Sequence, residues 1–212
     1  MSIQFSPSDE PIVLFGNGKP PVHPNEFLRL KNAGTILCIE GGADRLQQLG
    51  FNADYILGDM DSITNMDNWM HTEKIILEDQ SQTDLEKSFT WCVEKGIRQL
   101  SIVGCSGYRD DHHQMSFQLL SIFSDQIQMD MVTNFSTIYC IHGSRDFECT
   151  PDQTISLIPK DYITKIKTTG LQYPLNNENL QNNSQGISNI AKESKFSIQT
   201  NGPVWVILNH PE

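Results

Sequence analysis

Two aspartates, Asp59 and Asp61, stand two positions apart directly after the apolar run Tyr55–Leu57 and Gly58. If this run is a strand of an open α/β sheet, both carboxylates lie just past its carboxyl end, where such sheets bind their ligands. Carboxylates so close repel each other unless they share a proton or a cation, and an oxygen-only cluster suits Mg²⁺ bound to substrate phosphates. The pair alone also fits an exposed loop in which one aspartate caps a turn. The neighbouring loops must therefore distinguish a metal site from an ordinary turn.

Two further loops carry candidate site residues. Asp84 begins a predicted helix, where a carboxylate complements the helix dipole, but beside Asp59 and Asp61 it becomes a candidate third metal ligand. Gly41 and Gly42 lie at a predicted strand-to-helix turn, where glycines allow the backbone to approach a phosphate. Glycines are also common at such turns for conformational reasons, so this signal is weak by itself.

Arg109 and Asp111 flank the start of the next predicted helix. The planar guanidinium of Arg109 suits phosphate oxygens and can neutralise charge on a transferring phosphoryl group. The alternative is a solvated arginine that pairs with Asp110 or Asp111. The sequence Asp111-His112-His113 also occurs in a manganese phosphoesterase family, but that family's other acidic motifs do not accompany it in the required order.

Composition excludes several classes of protein. A net charge of −11 over 212 residues argues against nucleic-acid binding, which relies on clustered lysine and arginine. No apolar stretch reaches the length of a membrane span, and the N-terminal residues lack the features of a secretory signal. Five cysteines without a Cys-x-x-Cys pair predict a reducing compartment, the cytoplasm, and neither a disulfide framework nor a zinc site.

Apolar runs alternate with helical patterns through the first two thirds of the chain. We expect strands at 12–15, 35–39, 55–57, 74–77, 100–103, 128–132 and 136–141, and helices at about 23–32, 44–49, 84–95 and 111–123. Thr83 and Glu86 have the spacing of a capping box, which fixes the third helix start. The alternation predicts βαβ units in an α/β domain over 11–143, with a Rossmann-like, mainly parallel sheet whose strand-end loops share one rim.

The pattern changes beyond residue 143. Short strand-like runs at 154–158, 163–168, 196–199 and 204–208 are separated by turn residues, which predicts a small antiparallel β domain over 144–212. The Asn- and Gln-rich segment Asn176–Gln185 is expected to be an exposed loop. Trp205 is interpreted by default as a residue of a core strand.

Taken in order, these loops resemble those of the thiamine pyrophosphokinase family. The resemblance rests on loose motifs in a specific order: Glu40–Leu46, Leu57–Ser62, Asp79–Lys87, Gly107–His112, Gly170–Leu175, Gly186–Asn189 and Trp205. It covers nearly the whole chain past residue 11. The family usually has aspartate where this chain has Glu40, and the first loop, Gly16–Lys19, fits only roughly.

The resemblance implies an α/β domain followed by a C-terminal antiparallel β-sandwich, a homodimer with sites between subunits, and transfer of a pyrophosphoryl group from ATP to the hydroxyl of thiamine, releasing AMP. It implies that Asp59, Asp61 and Asp84 hold Mg²⁺, and that Arg109 and Asp111 complete the catalytic set. The remaining candidate binding residues form two groups. Those expected to contact the nucleotide are Asn17, Gly41, Gly42, Gln80 and Thr83, and those expected to contact thiamine are Ser188, Asn189 and Trp205. An aromatic face such as Trp205 suits a flat cationic ring.

Two other classes of protein remain open. A metal-dependent phosphohydrolase would use the same aspartates, but it leaves Ser188, Asn189 and Trp205 without a role. The other alternative is a non-catalytic thiamine- or nucleotide-binding protein of the same fold. Glu40, in place of the usual aspartate, keeps that hypothesis open.

Overall fold

The computed structural model describes residues 11–63, 66–180 and 184–211. The chain forms two compact units: the first runs to Leu119 and includes Gln126–Asn134, and the second contains Leu120–Asp125 and the chain from Phe135 onward. This division falls upstream of the expected boundary after residue 143. The reason is that the strand beginning at Ser136 continues to Glu148 and pairs along its length with the last strand of the chain.

The first unit is built on a parallel sheet, as predicted. Its strands are β1 (Ile12–Phe15), β2 (Thr35–Ile39), β3 (Tyr55–Gly58), β4 (Glu73–Ile76), β5 (Gln99–Val103) and β6 (Gln128–Val132). They are ordered β6-β5-β1-β2-β3-β4, and every neighbouring pair is parallel. The central strands β1 and β2 are buried at every residue, which explains their uninterrupted apolar sequences.

Four helices connect these strands or follow them: α1 (Pro24–Lys31), α2 (Ala43–Gln48), α3 (Asp84–Glu94) and α4 (Asp110–Phe123). Short 3₁₀ turns occupy Glu40–Gly42 and Met66–Trp69. Local side chains fix two of the helix starts. His23 and Glu26 form a capping box at α1, and the side-chain cap predicted at Thr83 is confirmed, because its Oγ1 accepts from the backbone N–H of Glu86 at 3.3 Å.

The second unit is antiparallel, as predicted. Its strands are β7 (Ser136–Glu148), β8 (Thr154–Pro159), β9 (Lys165–Thr169), β10 (Asn176–Asn179), β11 (Asn189–Ile190) and β12 (Lys195–Asn209). Strand β12 pairs with β7 along one side; along its other side it pairs first with β9 and then with β8. Buried residues of these strands form one hydrophobic core that includes Phe147, Leu157 and Phe196. The description of this unit as a β-sandwich stays a prediction.

Three expectations for the second unit were wrong in detail. The strands expected at 196–199 and 204–208 are one strand, β12, because a register shift between Thr200 and Val204 lets the chain bend while it stays paired with β7. The run expected from residue 163 begins at Lys165, since the N–H groups of Ile163 and Thr164 donate to Asp161 Oδ1 in a turn. The segment expected as a loop begins with the exposed strand β10, and residues 181–183 lie outside the described chain.

Over the described residues, no helix combines the length and apolar character needed to cross a bilayer.

Candidate active site

An open cleft of about 540 Å³ lies within the first unit and is lined by residues of its strand-end loops. Since the strands are parallel, their carboxyl ends meet at one edge of the sheet. Seven of the predicted site residues line this cleft together: Asn17, Asp59, Asp61, Gln80, Thr83, Asp84 and Arg109. The cleft therefore lies at the rim that the strand-end loops were expected to share, while the roles of these residues stay predictions.

Three carboxylates converge in the cleft. Glu40, Asp59 and Asp61 can each supply one oxygen such that all three oxygens lie within 4.8 Å of one another. An octahedral Mg²⁺ holds its oxygens at about 2.1 Å, so opposite ligands stand about 4 Å apart. The oxygen-only donor set and its spacing therefore fit Mg²⁺. Glu40, whose role was in doubt from the sequence, is the third member of this group.

Asp59 is held in its ionised form by its neighbours. The side-chain amide of Gln80 donates to Asp59 Oδ2 at 2.8 Å, and the backbone N–H of Asp61 points to Asp59 Oδ1 at 3.4 Å. The Gln80 hydrogen bond is the main cause that lowers the pKa of Asp59, with the Asp61 N–H second. A carboxylate that is ionised at neutral pH is the form that binds a cation.

Glu40 is in a different environment from the two aspartates. Its side chain is 2% exposed, and its oxygens accept from the backbone N–H groups of Met60 and Ser62. Burial is the main cause that raises the pKa of Glu40; the Met60 N–H acts in the opposite direction, and the charge of Asp59 adds to the rise.

Asp84 lies on the cleft at the start of α3 and pairs with Lys87, a buried residue that sequence reasoning missed. Lys87 Nζ lies 2.7 Å from Asp84 Oδ1 and donates to the carbonyl of Leu77 at 3.1 Å. Burial works to lower the pKa of Lys87, but the carboxylates of Asp84, Asp59 and Glu40 outweigh it and raise this pKa. A lysine three residues after Asp84 on one helix was the signal available. Metal ligation by Asp84 stays a prediction.

Arg109 and Asp111 form the pair that was considered as an alternative from the sequence. Arg109 Nε donates to Asp111 Oδ1 at 3.0 Å and Nη2 to Asp111 Oδ2 at 2.5 Å, a two-pronged contact. This contact, aided by the N–H of His112, lowers the pKa of Asp111 to about 2. Both side chains remain largely exposed, so the fork of Arg109 is oriented yet accessible from the cleft.

Gly41 and Gly42 have a packing reason that the sequence did not reveal. A Cβ at Gly41 would collide with the Asn17 side chain, and a Cβ at Gly42 would collide with the carbonyl of Gly16. The two glycines therefore allow the loop after β1 to cross the start of α2. Their contact with a phosphate stays a prediction.

Arg45 and Tyr108 are further cleft residues that carried no assigned role. Arg45 Nη1 donates to the carbonyls of Asn17 at 2.9 Å and Gly18 at 2.6 Å, and its guanidinium lies 5.2 Å from the centre of the Tyr108 ring. Arg45 thus joins the loop after β1 to the loop after β5. The motif containing Arg45 had been recognised, but contacts between loops cannot be read from spacing alone.

The three residues predicted to contact thiamine all belong to the second unit. The amide of Asn189 is engaged with the backbone of Tyr173, accepting its N–H at 3.0 Å and donating to its carbonyl at 2.7 Å. Ser188 has a left-handed backbone (φ 60°), and its N–H donates to Ser156 Oγ at 3.0 Å. Trp205 is 7% exposed within β12. Their contact with thiamine stays a prediction.

Sequence models of two adjacent domains match the chain. Residues 28–132 match thiamin pyrophosphokinase, catalytic domain, and residues 139–205 match thiamin pyrophosphokinase, vitamin B1 binding domain. A search of curated proteins found no match.

Solved structures of similar fold come from bacteria and fungi. Thiamine pyrophosphokinase from Bacillus subtilis has a TM-score of 0.79 at 22% identity, covering 95% of this chain and 99% of that chain. The enzyme from Candida albicans has a TM-score of 0.79 at 16% identity, covering 94% and 90%, and the yeast enzyme has 0.75 at 17%, covering 98% and 89%. At these identities the likeness establishes the fold alone.

The family assignment therefore rests on the two sequence models, which describe consecutive domains of one enzyme and together match more than half of the chain. The cleft lies in the part of the chain that the catalytic-domain model matches, apart from the loop after β1. This chain belongs to the thiamin pyrophosphokinase family of enzymes.

Proposed function

We propose that this chain transfers the pyrophosphoryl group of ATP to the hydroxyl of thiamine, giving thiamine diphosphate and AMP. The observation that carries the proposal is the group of Glu40, Asp59 and Asp61 at the carboxyl edge of the parallel sheet, in a chain of this family. A polyanion such as ATP enters an acidic cleft only with cations, and the cleft has both the carboxylates to hold Mg²⁺ and basic side chains.

The proposed reaction makes one bond and breaks one bond. The hydroxyl oxygen of thiamine bonds to the β-phosphorus of ATP, the bond from that phosphorus to the oxygen bridging the α-phosphate breaks, and AMP departs with that oxygen. The hydroxyl proton passes to a base, for which the sequence and the cleft offer several carboxylates. Catalysis of this kind depends mainly on positioning and charge stabilisation.

The residues predicted from the sequence to form the nucleotide and metal site have parts in this scheme. Asp59 and Asp61, with Asp84 at the start of α3, would hold Mg²⁺, which supplies charge neutralisation on the triphosphate when bound. Gln80 orients Asp59 through its 2.8 Å hydrogen bond. Asp111 holds the Nε–Nη2 edge of Arg109, which would leave the Nη1 side of the guanidinium for phosphate oxygens. We further propose that Asn17, Gly41, Gly42 and Thr83 contact the nucleotide.

The thiamine end of the proposal draws on the second unit. We propose that Ser188, Asn189 and Trp205 contact thiamine, that the active form is a homodimer with sites at the subunit interface, and that the enzyme works in the cytoplasm. The match of residues 139–205 to a vitamin B1 binding domain supports the first of these points.

The test is an end-point assay with ATP, MgCl₂ and thiamine that resolves AMP and thiamine diphosphate. We expect the two products in equal amounts, formed only when thiamine is present. Asp59→Asn should lower kcat/KM by at least about 100-fold, the scale of losing an electrostatic catalytic contact. Asp67→Asn, an exposed aspartate on a 3₁₀ turn, is the matched control and should retain activity.

Two other outcomes would contradict the proposal. Release of phosphate at the same rate with and without thiamine would indicate the phosphohydrolase. Saturable thiamine binding without either product would indicate a binding protein of the same fold.

A further inference from the structure

We infer that Glu40 is a positioning residue whose buried carboxylate anchors the turn Gly58–Ser62 and thereby directs Asp59 and Asp61 into the cleft. The inference deepens the proposed function, and only its kinetic part rests on that function. Glu40 stands at the end of β2, while the turn follows β3, the neighbouring strand of the sheet.

Both oxygens of Glu40 are used by the backbone of this turn. Oε2 accepts the N–H of Met60, and Oε1 accepts the N–H of Ser62 at 3.3 Å. Glu40 is 2% exposed, so its carboxylate depends mainly on these two donors for hydrogen bonding, whereas Met60 is half-buried and Ser62 is exposed. The N–H groups of Met60 and Ser62 both donate to Glu40. Because Asp61 lies between these two residues, its backbone position is held on both sides.

The turn is closed directly over the Glu40 carboxylate. A Cβ at Gly58 would lie 2.5 Å from Glu40 Oε2 and 2.6 Å from Cδ, so only glycine fits there, and Gly58 has φ 154°. Met60 has φ 70°, a left-handed backbone that is unfavourable for a residue with a side chain. The hydrogen bond from the Met60 N–H to Glu40 is the contact that holds this conformation.

The outcome of this geometry is seen at the two aspartates. Asp59, half-buried, and Asp61, exposed, both line the cleft, and their oxygens come within 4.8 Å of each other and of Glu40. Two like charges at this distance repel, so a free turn would separate them. An acceptor beneath the turn keeps the pair together before any cation arrives, which reduces the reorganisation needed on binding.

The chain offers a matched control in Glu26. This residue is 1% exposed, and it too accepts two backbone N–H groups, from Val22 at 3.3 Å and His23 at 3.4 Å. Both reach the same oxygen, Oε2, so a glutamine at this position keeps an acceptor for both. At Glu40 the two donors reach different oxygens, so glutamine keeps an acceptor for only one of them.

The first measurement is amide hydrogen exchange by NMR on the protein without metal or nucleotide. In the unmodified protein, the amides of Met60 and Ser62 should be protected relative to that of Asp61, whose 3.4 Å contact is to the half-buried carboxylate of Asp59 at the surface of the cleft. In Glu40→Gln one of these amides should exchange about tenfold faster, the factor for one lost hydrogen bond. In Glu40→Asp, where the carboxylate is retracted by one methylene, both should do so.

The second measurement is the Mg²⁺ concentration that half-saturates turnover. It should rise about tenfold or more in both Glu40 variants, with kcat at saturating Mg²⁺ changed less, while Glu26→Gln leaves both values unchanged. Accelerated exchange with unchanged Mg²⁺ dependence would overturn the inference, since Glu40 would then serve the fold alone. Unprotected Met60 and Ser62 amides in the unmodified protein would overturn it without any variant. If the proposed function is wrong, the unmodified protein will show no thiamine-dependent turnover. The exchange measurement would still test whether Glu40 anchors the turn Gly58–Ser62.

Discussion

The ionisable side chains of the first unit respond to pH in two ways, according to what surrounds each one. Asp59 and Asp111 accept hydrogen bonds from Gln80 and Arg109, and these contacts lower the pKa of each carboxyl. Burial instead raises the pKa of Glu40 and of Glu26, which is raised to about 7. Carboxyl groups that accept side-chain donors and carboxyl groups that are buried against backbone N–H groups therefore have pKa values shifted in opposite directions.

Glu26 gives a stability prediction at this scale. Its pKa lies at 4.5 in the unfolded chain and about 7 in the folded protein, so the folded state binds more protons between these values. Stability contributed by protonated Glu26 is complete below pH 4.5 and is lost as pH rises through 7. Glu26→Gln should remove this dependence, so the variant gains on the order of 2 kcal/mol over the unmodified protein between pH 4.5 and 8.

Urea denaturation of both proteins at pH 4.5, 6 and 8 measures this difference in the free energy of unfolding. The glutamine can still complete the capping box at His23, so the comparison isolates the titration. Parallel stability curves for the two proteins would show that Glu26 does not bind a proton in this range.

At the scale of elements, the N-terminal end of α3 positions three residues of the cleft. Thr83 caps the helix, and Asp84 and Lys87 occupy its first turn. Phe89 and Cys92, farther along the same helix, are fully buried, so the helix cannot rotate without exposing them. The position of the first turn is thus fixed by packing and by the cap together.

The cap at Thr83 can be tested by stability. Thr83→Ala removes the acceptor for the Glu86 N–H and should lower the free energy of unfolding by about 1 kcal/mol. Thr83→Ser keeps an acceptor and should retain most of it. The control is Thr90→Ala in the interior of the same helix, where alanine has the higher helix propensity and should be neutral or slightly stabilising. Equal losses at both positions in chemical denaturation would refute the cap.

Elements with short, bounded apolar runs could be predicted from the sequence, and those defined by tertiary contacts could not. Strands β1, β2 and β5 are brief apolar segments that end near glycines, so their limits were nearly right. Strand β12 was divided in two because Asn201–Pro203 has the composition of a turn. In the structure Thr200 Oγ1 donates to the Gly202 carbonyl at 2.8 Å, which closes a bulge inside a continuous strand.

The same limit applies to the site. Asp59, Asp61, Asp84 and Arg109 became candidates because each follows a recognisable strand or stands at a helix start, and Gln80 and Thr83 became candidates through the family resemblance; all six line the cleft. The role of Glu40 depends on hydrogen bonds to a turn twenty residues away, and those form only because β2 and β3 are neighbours in the sheet. The order of strands in the sheet cannot be deduced from local sequence patterns. Neither the contact of Glu40 with the turn nor the burial of Lys87 could therefore be predicted.

At the scale of the whole molecule, charge makes cations a requirement of the proposed reaction. The chain carries a net charge of −11, and its candidate cleft contains three converging carboxylates. ATP is itself a polyanion, so its proposed binding there would require Mg²⁺ together with the basic side chains that line the cleft, Arg45, Lys87 and Arg109. The second unit, matched to a vitamin B1 binding domain, supplies the proposed thiamine contacts.

The central claim is that two phosphates move together from ATP to thiamine. The most direct measurement supplies ATP labelled with ³²P at the β-phosphate or at the γ-phosphate, in separate reactions with Mg²⁺ and thiamine, and follows each label by chromatography. We predict that both labels appear in thiamine diphosphate in equal yield and that AMP is unlabelled. Label from the γ position in inorganic phosphate, or transfer of the γ label alone with formation of ADP, would contradict the account.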